Sequence, residues 1–262
     1  MEEQTGEAAE GGGFRAGNTN MKLLVLDVEG TLFKTKVRLP GTQINSTMWQ
    51  GIASALGPDA IAEEVRTHER WHRGEYATYL HWVRDTILIH RKYGLTKSLL
   101  EQLVASAEYN ENVAQALSQI DRTAFEPVLI SGGFRELARR AQLDLNIHHA
   151  FAACEYLFGR EARLRSFNLL PCDFEGKLDF IRLLLREYKL SNDDWVFLGD
   201  GLNDVPIAKT APVSVAYAAH PELRAVSDFD IDDFLELPRL LTQLSIPEAP
   251  GIPFEGATRL GR

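Results

Sequence analysis

The stretch LLVLDVEGT, residues 23–31, joins a continuous apolar run to two carboxylates that stand two positions apart. The run at 23–26 predicts a strand buried on both faces, as in a parallel sheet covered by helices. Asp27 and Glu29 follow where that strand ends, so both side chains can face one pocket. An acid after a strand is also a common helix cap or turn former, so this stretch alone leaves a structural role open.

The same pattern of a buried strand, a polar or glycine-rich turn and a helix recurs along the chain. Candidate strands lie at 127–130, 195–198 and 212–216, and helical patterns lie at 134–143 and 178–188. Strands that alternate with helices predict an α/β fold with a doubly wound, Rossmann-like parallel sheet. Ligands bind beyond the carboxyl ends of the strands in such sheets, so Asp27, Ser131 and Asp200 are expected to converge there.

Between the first two strands, apolar residues recur at helical spacing. The stretch 36–121 therefore predicts a helical insertion directly after the first strand, a position that suits a cap folded over the site. The core is expected at 21–35 and 122–245. The low hydrophobicity of 1–20 predicts a disordered tail, and the prolines and glycines of 246–262 predict a flexible one.

Composition limits the classes of function. The formal net charge is −9 and the pI is near 5.3, which disfavours general nucleic-acid binding and attachment to anionic membranes. No apolar run approaches the length of a membrane span, and no signal peptide is recognisable. Cys154 and Cys172 are too few and too far apart for a disulfide scaffold or a CxxC motif, so a cytoplasmic protein with reduced thiols is expected.

Phosphoryl transfer is the chemistry that this arrangement of acids fits. A carboxylate that attacks a phosphoryl group needs a cation to offset the repulsion and a second carboxyl group to protonate the leaving oxygen. Gly30 lets the backbone come close to phosphate oxygens. Asp200 and Asp204 lie with Asn203 in a turn after a buried strand, and such oxygen ligands suit a hard cation such as Mg²⁺.

Two further stretches can hold a phosphate. Ser131, Gly132 and Gly133 offer a hydroxyl and backbone N–H groups at a strand end, immediately before a helix whose dipole favours an anion. By itself this stretch is also compatible with any tight turn. Lys177, near the start of a helical segment, can reach the phosphate with its charge, although a lone lysine is usually solvated surface.

Taken in order, these four stretches resemble the four signature motifs of the haloacid dehalogenase superfamily, and within it the phosphoserine phosphatase-like branch. The resemblance covers residues 23–244 and includes the spacing of the motifs and the helical insert after the first strand. It implies a Rossmann-like core with a mainly helical cap. It also implies a Mg²⁺-dependent phosphatase that hydrolyses a small phosphorylated metabolite through an aspartyl-phosphate intermediate.

The resemblance implies a role for each motif residue. Asp27 would be the nucleophile, and Glu29 the acid and later the base. Ser131 and Lys177 would hold the phosphoryl oxygens, beside the backbone of Gly30 and Gly132. Mg²⁺ would be held by the carboxylates of Asp27 and Asp200 and the backbone carbonyl of Glu29, with Asn203 and Asp204 in support.

Two positions depart from the pattern of this branch. The second acid is usually aspartate, whereas here it is Glu29; the related enolase-phosphatases have a similar Asp-x-Glu-Gly-Thr start, so activity is expected. Phosphoserine phosphatases carry a glutamate for the substrate's amino group where this chain has Lys36. Lys36, with Arg84, predicts a preference for a carboxylate, a second phosphate or a hydroxylated group, unless Lys36 merely solvates a linker. An inactive binding module is the alternative that Glu29 leaves open.

The stretch HERWH, residues 68–72, matches the HExxH pattern of zinc peptidases, in which two histidines hold the metal and the glutamate activates water. A zinc-peptidase helix is normally buried around its metal, whereas this segment is heavily charged. A solvated helix is therefore the favoured interpretation, and a zinc peptidase the less favoured one. Packing, or an apolar wall for the leaving group, would explain the helical spacing of the aromatic residues Trp71, Tyr76, Tyr79 and Trp82.

Overall fold

The computed structural model describes residues 21–35, 38–39, 42–43, 47–245 and 258–259. Ten strands lie in these ranges, and eight of them form one sheet. The strands are β1 (Lys22–Leu26), β2 (Arg38–Leu39), β3 (Thr42–Gln43), β4 (Phe125–Phe134), β5 (His149–Phe158), β6 (Leu164–Leu169), β7 (Trp195–Gly199), β8 (Val213–Tyr217), β9 (Phe229–Ile231) and β10 (Thr258–Arg259).

The sheet has the strand order β10-β9-β8-β7-β1-β4-β5-β6. Its strands are parallel except at the two edges, where β10 pairs with β9 and β6 pairs with β5 in antiparallel orientation. β1 lies between β4 and β7, with Leu26 opposite both Leu129 and Leu198. Because these three strands run in the same direction, the residues that follow them come together at one edge of the sheet.

The apolar run of β1 is continuous because both faces of the sheet are covered. Leu24 and Leu26 belong to one buried cluster, whereas Leu23 and Val25 belong to a second cluster on the opposite face. Successive side chains of a strand point to opposite faces, so a strand between two covering layers is apolar at every position. The predicted doubly wound α/β fold is confirmed.

Ten helices lie in the described ranges. They are α1 (Met48–Leu56), α2 (Pro58–His72), α3 (Tyr79–Lys92), α4 (Lys97–Ser106), α5 (Val113–Ser118), α6 (Arg135–Asp144), α7 (Gly176–Tyr188), α8 (Val205–Thr210), α9 (Pro221–Arg224) and α10 (Glu236–Ser245), and a 3₁₀ turn lies at Leu202–Asp204. Three of them are preceded by a threonine N-cap: the side chains of Thr47, Thr78 and Thr96 each accept a backbone N–H of the first turn. Among these helices, none has the length and apolar character needed to cross a membrane.

The five helices α1 to α5 lie between β1 and β4 in the chain, which confirms the mainly helical insertion after the first strand. The insert also contains β2 and β3, two antiparallel strands of two residues each, which the helical pattern did not predict. Lys36 and the predicted tail at 1–20 lie outside the described residues, as do 246–257 and 260–262.

Replacing Leu24 with alanine is expected to lower the free energy of unfolding by about 2–5 kcal/mol, because the truncation leaves a cavity beside a fully buried central strand. Leu143→Ala is the matched control. Leu143 is 70% exposed on α6, so its truncation is expected to change the free energy of unfolding by about 0.5 kcal/mol or less. Urea unfolding followed by circular dichroism measures both values, and equal losses would contradict this assignment of the core.

Both cysteine thiols are free and buried. Burial raises the pKa of the Cys172 thiol to about 12 and that of the Cys154 thiol well above its usual value. At pH 8 only about one Cys172 in 10⁴ is then a reactive thiolate. Iodoacetamide is therefore expected to alkylate neither cysteine in the folded protein and both in urea, as counted by mass spectrometry.

The raised pKa of the Cys172 thiol also makes stability depend on pH in the alkaline range. The unfolded chain loses the Cys172 proton near pH 9, whereas the folded chain keeps it until about pH 12. The stabilising contribution of the buried thiol is therefore complete below pH 9 and falls as the pH rises through this interval. If the folded protein were alkylated at the rate of a free cysteine, the raised pKa of Cys172, and with it the expected loss of stability at high pH, would be contradicted.

Candidate active site

The carboxyl ends of β1, β4 and β7 carry Asp27, Ser131 and Asp200 at one edge of the sheet. The N–H of Asp27 donates to the carbonyl oxygen of Leu198 over 3.0 Å, which continues the pairing of β1 with β7 past the last residue of β1. Asp27 and Ser131 are buried, and Asp200 is partly buried. Residues 69 to 173 positions apart in sequence thus lie at one edge of the sheet, as the strand order predicts.

Lys177 lies at the start of α7 and is fully buried. Its Nζ donates to Oδ1 of Asp27 over 2.5 Å and to Oδ1 of Asp204 over 2.7 Å. Burial alone disfavours the charged ammonium, but the attraction of Asp204, Asp27 and Asp173 outweighs it and raises the pKa of Lys177. The lysine is therefore a permanent positive charge inside the site.

Carboxylate oxygens of Asp27, Asp200 and Asp204 all lie within 4.8 Å of one another. Burial, with the repulsion of Asp204, raises the pKa of Asp200 to about 7. Burial also raises the pKa of Asp27, although Lys177 opposes this shift. Oxygen ligands that repel one another in this way are stabilised by a hard cation between them, so the residues present fit Mg²⁺.

Gly30 brings the loop after Asp27 against Asp200. Its φ is +95°, and a Cβ built at this position would stand 2.1 Å from Oδ2 of Asp200, so a side chain here would displace the carboxylate. The N–H of Gly30 donates to the carbonyl oxygen of Phe33 over 2.7 Å and is thus engaged within the loop. Thr31 donates its hydroxyl to Oδ1 of Asp200 over 2.7 Å and orients that carboxylate.

Asp204 shapes the turn that follows β7. Its Oδ2 accepts the backbone N–H groups of Asp200, over 3.1 Å, and Gly201, over 3.2 Å, while its Oδ1 accepts the ammonium of Lys177. One fully buried carboxylate therefore holds the backbone that carries Asp200 and also compensates the charge of Lys177.

Asp173 is a residue of the site that sequence reasoning missed. It accepts the side-chain amide of Asn203 over 2.8 Å, and burial raises the pKa of Asp173 against the attraction of Lys177. A Cβ at Gly132 would stand 2.3 Å from this carboxylate, so the glycine leaves room for the acid. The one available signal was an acid four residues before Lys177, which by itself is common in loops.

Glu29 is held by the insert. Its Oε1 accepts the backbone N–H of Met48, the first residue of α1, over 2.5 Å. Burial raises the pKa of Glu29 to about 7, although this hydrogen bond favours the charged form. A carboxyl group with this pKa can both give and take a proton at neutral pH.

Ser131 and Gly132 lie in the last part of β4, which runs to Phe134 with a shift of register against β5. The Ser131 hydroxyl oxygen accepts the N–H of Gly133 over 3.0 Å. The carbonyl oxygen of Gly132 accepts the hydroxyl of Tyr79, from α3 of the insert, over 2.5 Å. Tyr79 was noted in the sequence only for its aromatic spacing, yet its hydroxyl contacts this end of β4.

The aromatic residues of the insert pack against each other and against the core. Trp71 and Trp82 stack with ring centroids 5.1 Å apart. Phe174, which follows Asp173, lies 6.0 Å from Trp71 and 5.5 Å from Tyr79 by ring centroid. These contacts support the packing interpretation of the aromatic spacing, and they join α2 and α3 to the loop before α7.

Three further residues that the sequence singled out are exposed on the insert. Arg84 is exposed on α3 and pairs with its neighbour Asp85 over 3.4 Å. His68 and His72 are exposed on α2, with their Nε2 atoms 3.3 Å apart. In the part of the chain that the structure describes, the one group of three or more side chains arranged to hold a metal is the cluster of Asp27, Asp200 and Asp204.

The chain resembles known proteins in sequence and in fold. The family model of haloacid dehalogenase-like hydrolases matches residues 21–212. A phosphoserine phosphatase of Streptococcus thermophilus is 26% identical over 218 residues, which are 80% of this chain and 90% of the relative. One from Lactococcus lactis is 24% identical over 139 residues, 53% of this chain and 64% of the relative.

A solved structure of a substrate-bound phosphoserine phosphatase superposes with a TM-score of 0.67 at 18% identity, over 86% of this chain and 99% of that one. At this identity the superposition shows a shared fold. The match of the family model covers most of the chain and includes Asp27, Ser131, Lys177 and Asp200. The chain therefore belongs to the haloacid dehalogenase-like hydrolases, and its relatives assign it to their phosphoserine phosphatase-like branch of phosphoric monoester hydrolases.

Proposed function

We propose that the protein is a magnesium-dependent phosphatase that hydrolyses a small phosphomonoester through an aspartyl-phosphate on Asp27. The observation that carries this proposal is the meeting of Asp27, Asp200 and Asp204 within 4.8 Å, with Lys177 bonded to two of the three. A carboxylate can approach an anionic phosphoryl group only where positive charge offsets the repulsion. The relatives named phosphoserine phosphatases support the same class of reaction.

The proposed chemistry is divided between Asp27 and Glu29. A carboxylate oxygen of Asp27 bonds to phosphorus while the bond from phosphorus to the ester oxygen breaks, and Glu29 gives its proton to that oxygen. Water then attacks the same phosphorus, Glu29 takes a proton from this water, and inorganic phosphate leaves with Asp27 restored. The pKa of Glu29, about 7, supports both roles because both of its forms are populated at neutral pH.

The carboxylates of Asp27 and Asp200 and the backbone carbonyl of Glu29 are the proposed ligands of Mg²⁺. When bound, this ion would offset negative charge on the phosphoryl oxygens. Asp204 supports the ligands through its bonds to the backbone at Asp200 and to Lys177. Asn203 supports them less directly, by tying the same turn to Asp173.

Lys177 and Ser131 are the proposed contacts of the phosphoryl oxygens, beside the backbone of Gly132. The N–H of Gly30 is bonded to Phe33, so Gly30 is proposed to let the loop come close to the phosphate rather than to donate to it. The Ser131 hydroxyl already accepts the N–H of Gly133, and a hydroxyl that accepts one bond can still donate its own proton. The buried ammonium of Lys177 bonds to the proposed nucleophile, so a phosphate that approaches Asp27 also approaches this positive charge.

The stretch 36–121 is proposed as a cap that contacts the leaving group. Met48 and Tyr79, both from this stretch, donate to the Glu29 carboxylate and to the carbonyl oxygen of Gly132. Lys36 and Arg84 remain the proposed selectivity residues, for a carboxylate, a second phosphate or a hydroxylated group in a small metabolite. The two free thiols support a reducing compartment, so we place the reaction in the cytoplasm.

The proposed nucleophile is tested with p-nitrophenyl phosphate and Mg²⁺. The unaltered protein is expected to release p-nitrophenol, and Asp27→Asn to lower kcat by about 10³-fold or more, because an amide oxygen is a poor nucleophile. Asp193→Asn is the matched control, since Asp193 is exposed before the start of β7, at the end of that strand opposite Asp200. EDTA is expected to stop turnover and Mg²⁺ to restore it.

Two outcomes would contradict this proposal. Turnover that survives Asp27→Asn would exclude the covalent route through Asp27. No turnover of p-nitrophenyl phosphate or of a broad panel of phosphorylated metabolites would favour a binding module that kept the fold without the activity.

The charge of Lys177 is expected to be needed for stability. Lys177→Met leaves Asp27 and Asp204 buried without compensation, which typically costs about 3–5 kcal/mol of unfolding free energy. Mg²⁺ is expected to recover part of this loss, because a cation that binds only the folded chain stabilises it. Urea unfolding with and without Mg²⁺ measures both effects.

Lys209→Met is the matched control for this variant. Lys209 is exposed on α8, so its loss is expected to change the free energy of unfolding by about 0.5 kcal/mol or less. Equal stability of the two methionine variants would show that the buried ammonium does not compensate the carboxylates.

A further inference from the structure

Asn110 holds three consecutive carbonyl groups of the loop that follows Asp27. Its side-chain Nδ2 donates to the carbonyl oxygens of Gly30 and Thr31, each over 2.8 Å. Its backbone N–H donates to the carbonyl oxygen of Leu32, also over 2.8 Å. Because one residue supplies all three donors, the path of the backbone at 30–32 depends on where Asn110 lies.

Contacts of the two residues before it fix the position of Asn110. It lies between α4 and α5 of the insert, and its neighbour Tyr109 pairs with Phe33 in an antiparallel bridge. The rings of Phe33 and Tyr109 stack with centroids 4.2 Å apart, and the N–H of Lys34 donates to the carbonyl oxygen of Glu108 over 2.8 Å. The segment 108–110, between α4 and α5, is thus joined to residues 33–34, which lie just before the insert and close to Asp27 in sequence.

The loop that Asn110 holds also contacts the proposed metal ligand Asp200. Thr31 donates its hydroxyl to Oδ1 of Asp200 over 2.7 Å, and the α-carbon of Gly30 packs so closely against the same carboxylate that a Cβ would collide with it. A carboxylate oriented in this way needs less reordering to bind a cation. Its orientation depends on Thr31, and the backbone of Thr31 depends on Asn110.

We propose that Asn110 is a positioning residue for the cation site: through its two amide donors it fixes Gly30 and Thr31, and through them the carboxylate of Asp200. This inference rests on the proposed function for the identity of the cation. It adds a residue of the insert, outside all four motifs, to the set on which Mg²⁺ affinity depends. A residue that only joined the insert to the core would affect stability but not the affinity for Mg²⁺.

The chemistry of the amide allows a sharp test. Asn110→Asp keeps the shape of the side chain but replaces both donated protons with an acceptor that faces two carbonyl oxygens. Asn110→Ala removes the donors without adding this repulsion and serves if the aspartate variant fails to fold. Asn112→Gly is the matched control, because Asn112 donates to Asp233 rather than to the loop and has a φ of 63°, which glycine adopts without strain.

The measurement is calorimetric titration of Mg²⁺ into the full chain without substrate, with urea unfolding of each variant alongside. Asn110→Asp or Asn110→Ala is expected to weaken Mg²⁺ binding by about 10-fold or more, the usual effect of losing a group that orients a ligand. Asn112→Gly is expected to bind Mg²⁺ as the unaltered protein does. Unchanged affinity in folded Asn110→Asp and Asn110→Ala would overturn the inference.

A double substitution tests the route through Thr31. Thr31→Val removes the hydroxyl bond to Asp200 and is expected to weaken Mg²⁺ binding to a similar degree. If Asn110 acts through Thr31, the double variant with Asn110→Ala binds Mg²⁺ no more weakly than the weaker single variant. Effects that simply multiply would overturn this route. If the unaltered protein binds no Mg²⁺, the proposed function fails as well; if it binds Mg²⁺ and the Asn110 variants bind equally well, only this inference fails.

Discussion

The compensation of charge around Lys177 is the interaction on which the rest of the site depends. A fully buried ammonium is stable only beside carboxylates, and here it bonds to Asp27 and Asp204 at 2.5 and 2.7 Å. These bonds tie the end of β1 to the turn after β7 and to the start of α7. The remaining excess of negative charge, with the pKa of Asp200 raised to about 7, is what makes the same cluster suitable for a divalent cation. The same arrangement of charges therefore stabilises the fold and supports the proposed chemistry.

In the part of the insert that the structure describes, Met48, Tyr79 and Asn110 donate hydrogen bonds to the site, although the acids and the lysine belong to the core. The Met48 N–H holds Glu29, the Tyr79 hydroxyl holds the carbonyl of Gly132, and Asn110 holds the loop at 30–32. Each contact reaches the backbone or side chain of a different part of the site. Hydrogen bonds therefore join the proposed cap to the residues of the proposed reaction.

The central strands and the acids that follow them could be predicted from the sequence, because each lies in a short stretch with a recognisable pattern. The run at 23–26 had to be apolar on both faces, and Asp27 and Asp200 each follow such a strand directly. Tyr79, Asp173 and Asn110 were missed because each acts through one to three hydrogen bonds to residues 30 to 80 positions away, and such bonds leave no pattern in the surrounding sequence. β2 and β3 were not predicted because a strand of two residues is too short to show the alternation of apolar and polar residues that indicates a strand.

The pKa of Glu29 reflects the balance of two opposing effects. Burial favours the neutral acid, whereas the N–H of Met48 at the start of α1 favours the anion, and together they give a pKa of about 7. An aspartate would end one methylene short of this N–H and would leave a buried carboxyl group with less compensation. The longer side chain therefore couples the proposed proton donor to the first helix of the insert, so the position of that helix bears on the proton affinity of the acid as well as on the shape of the pocket.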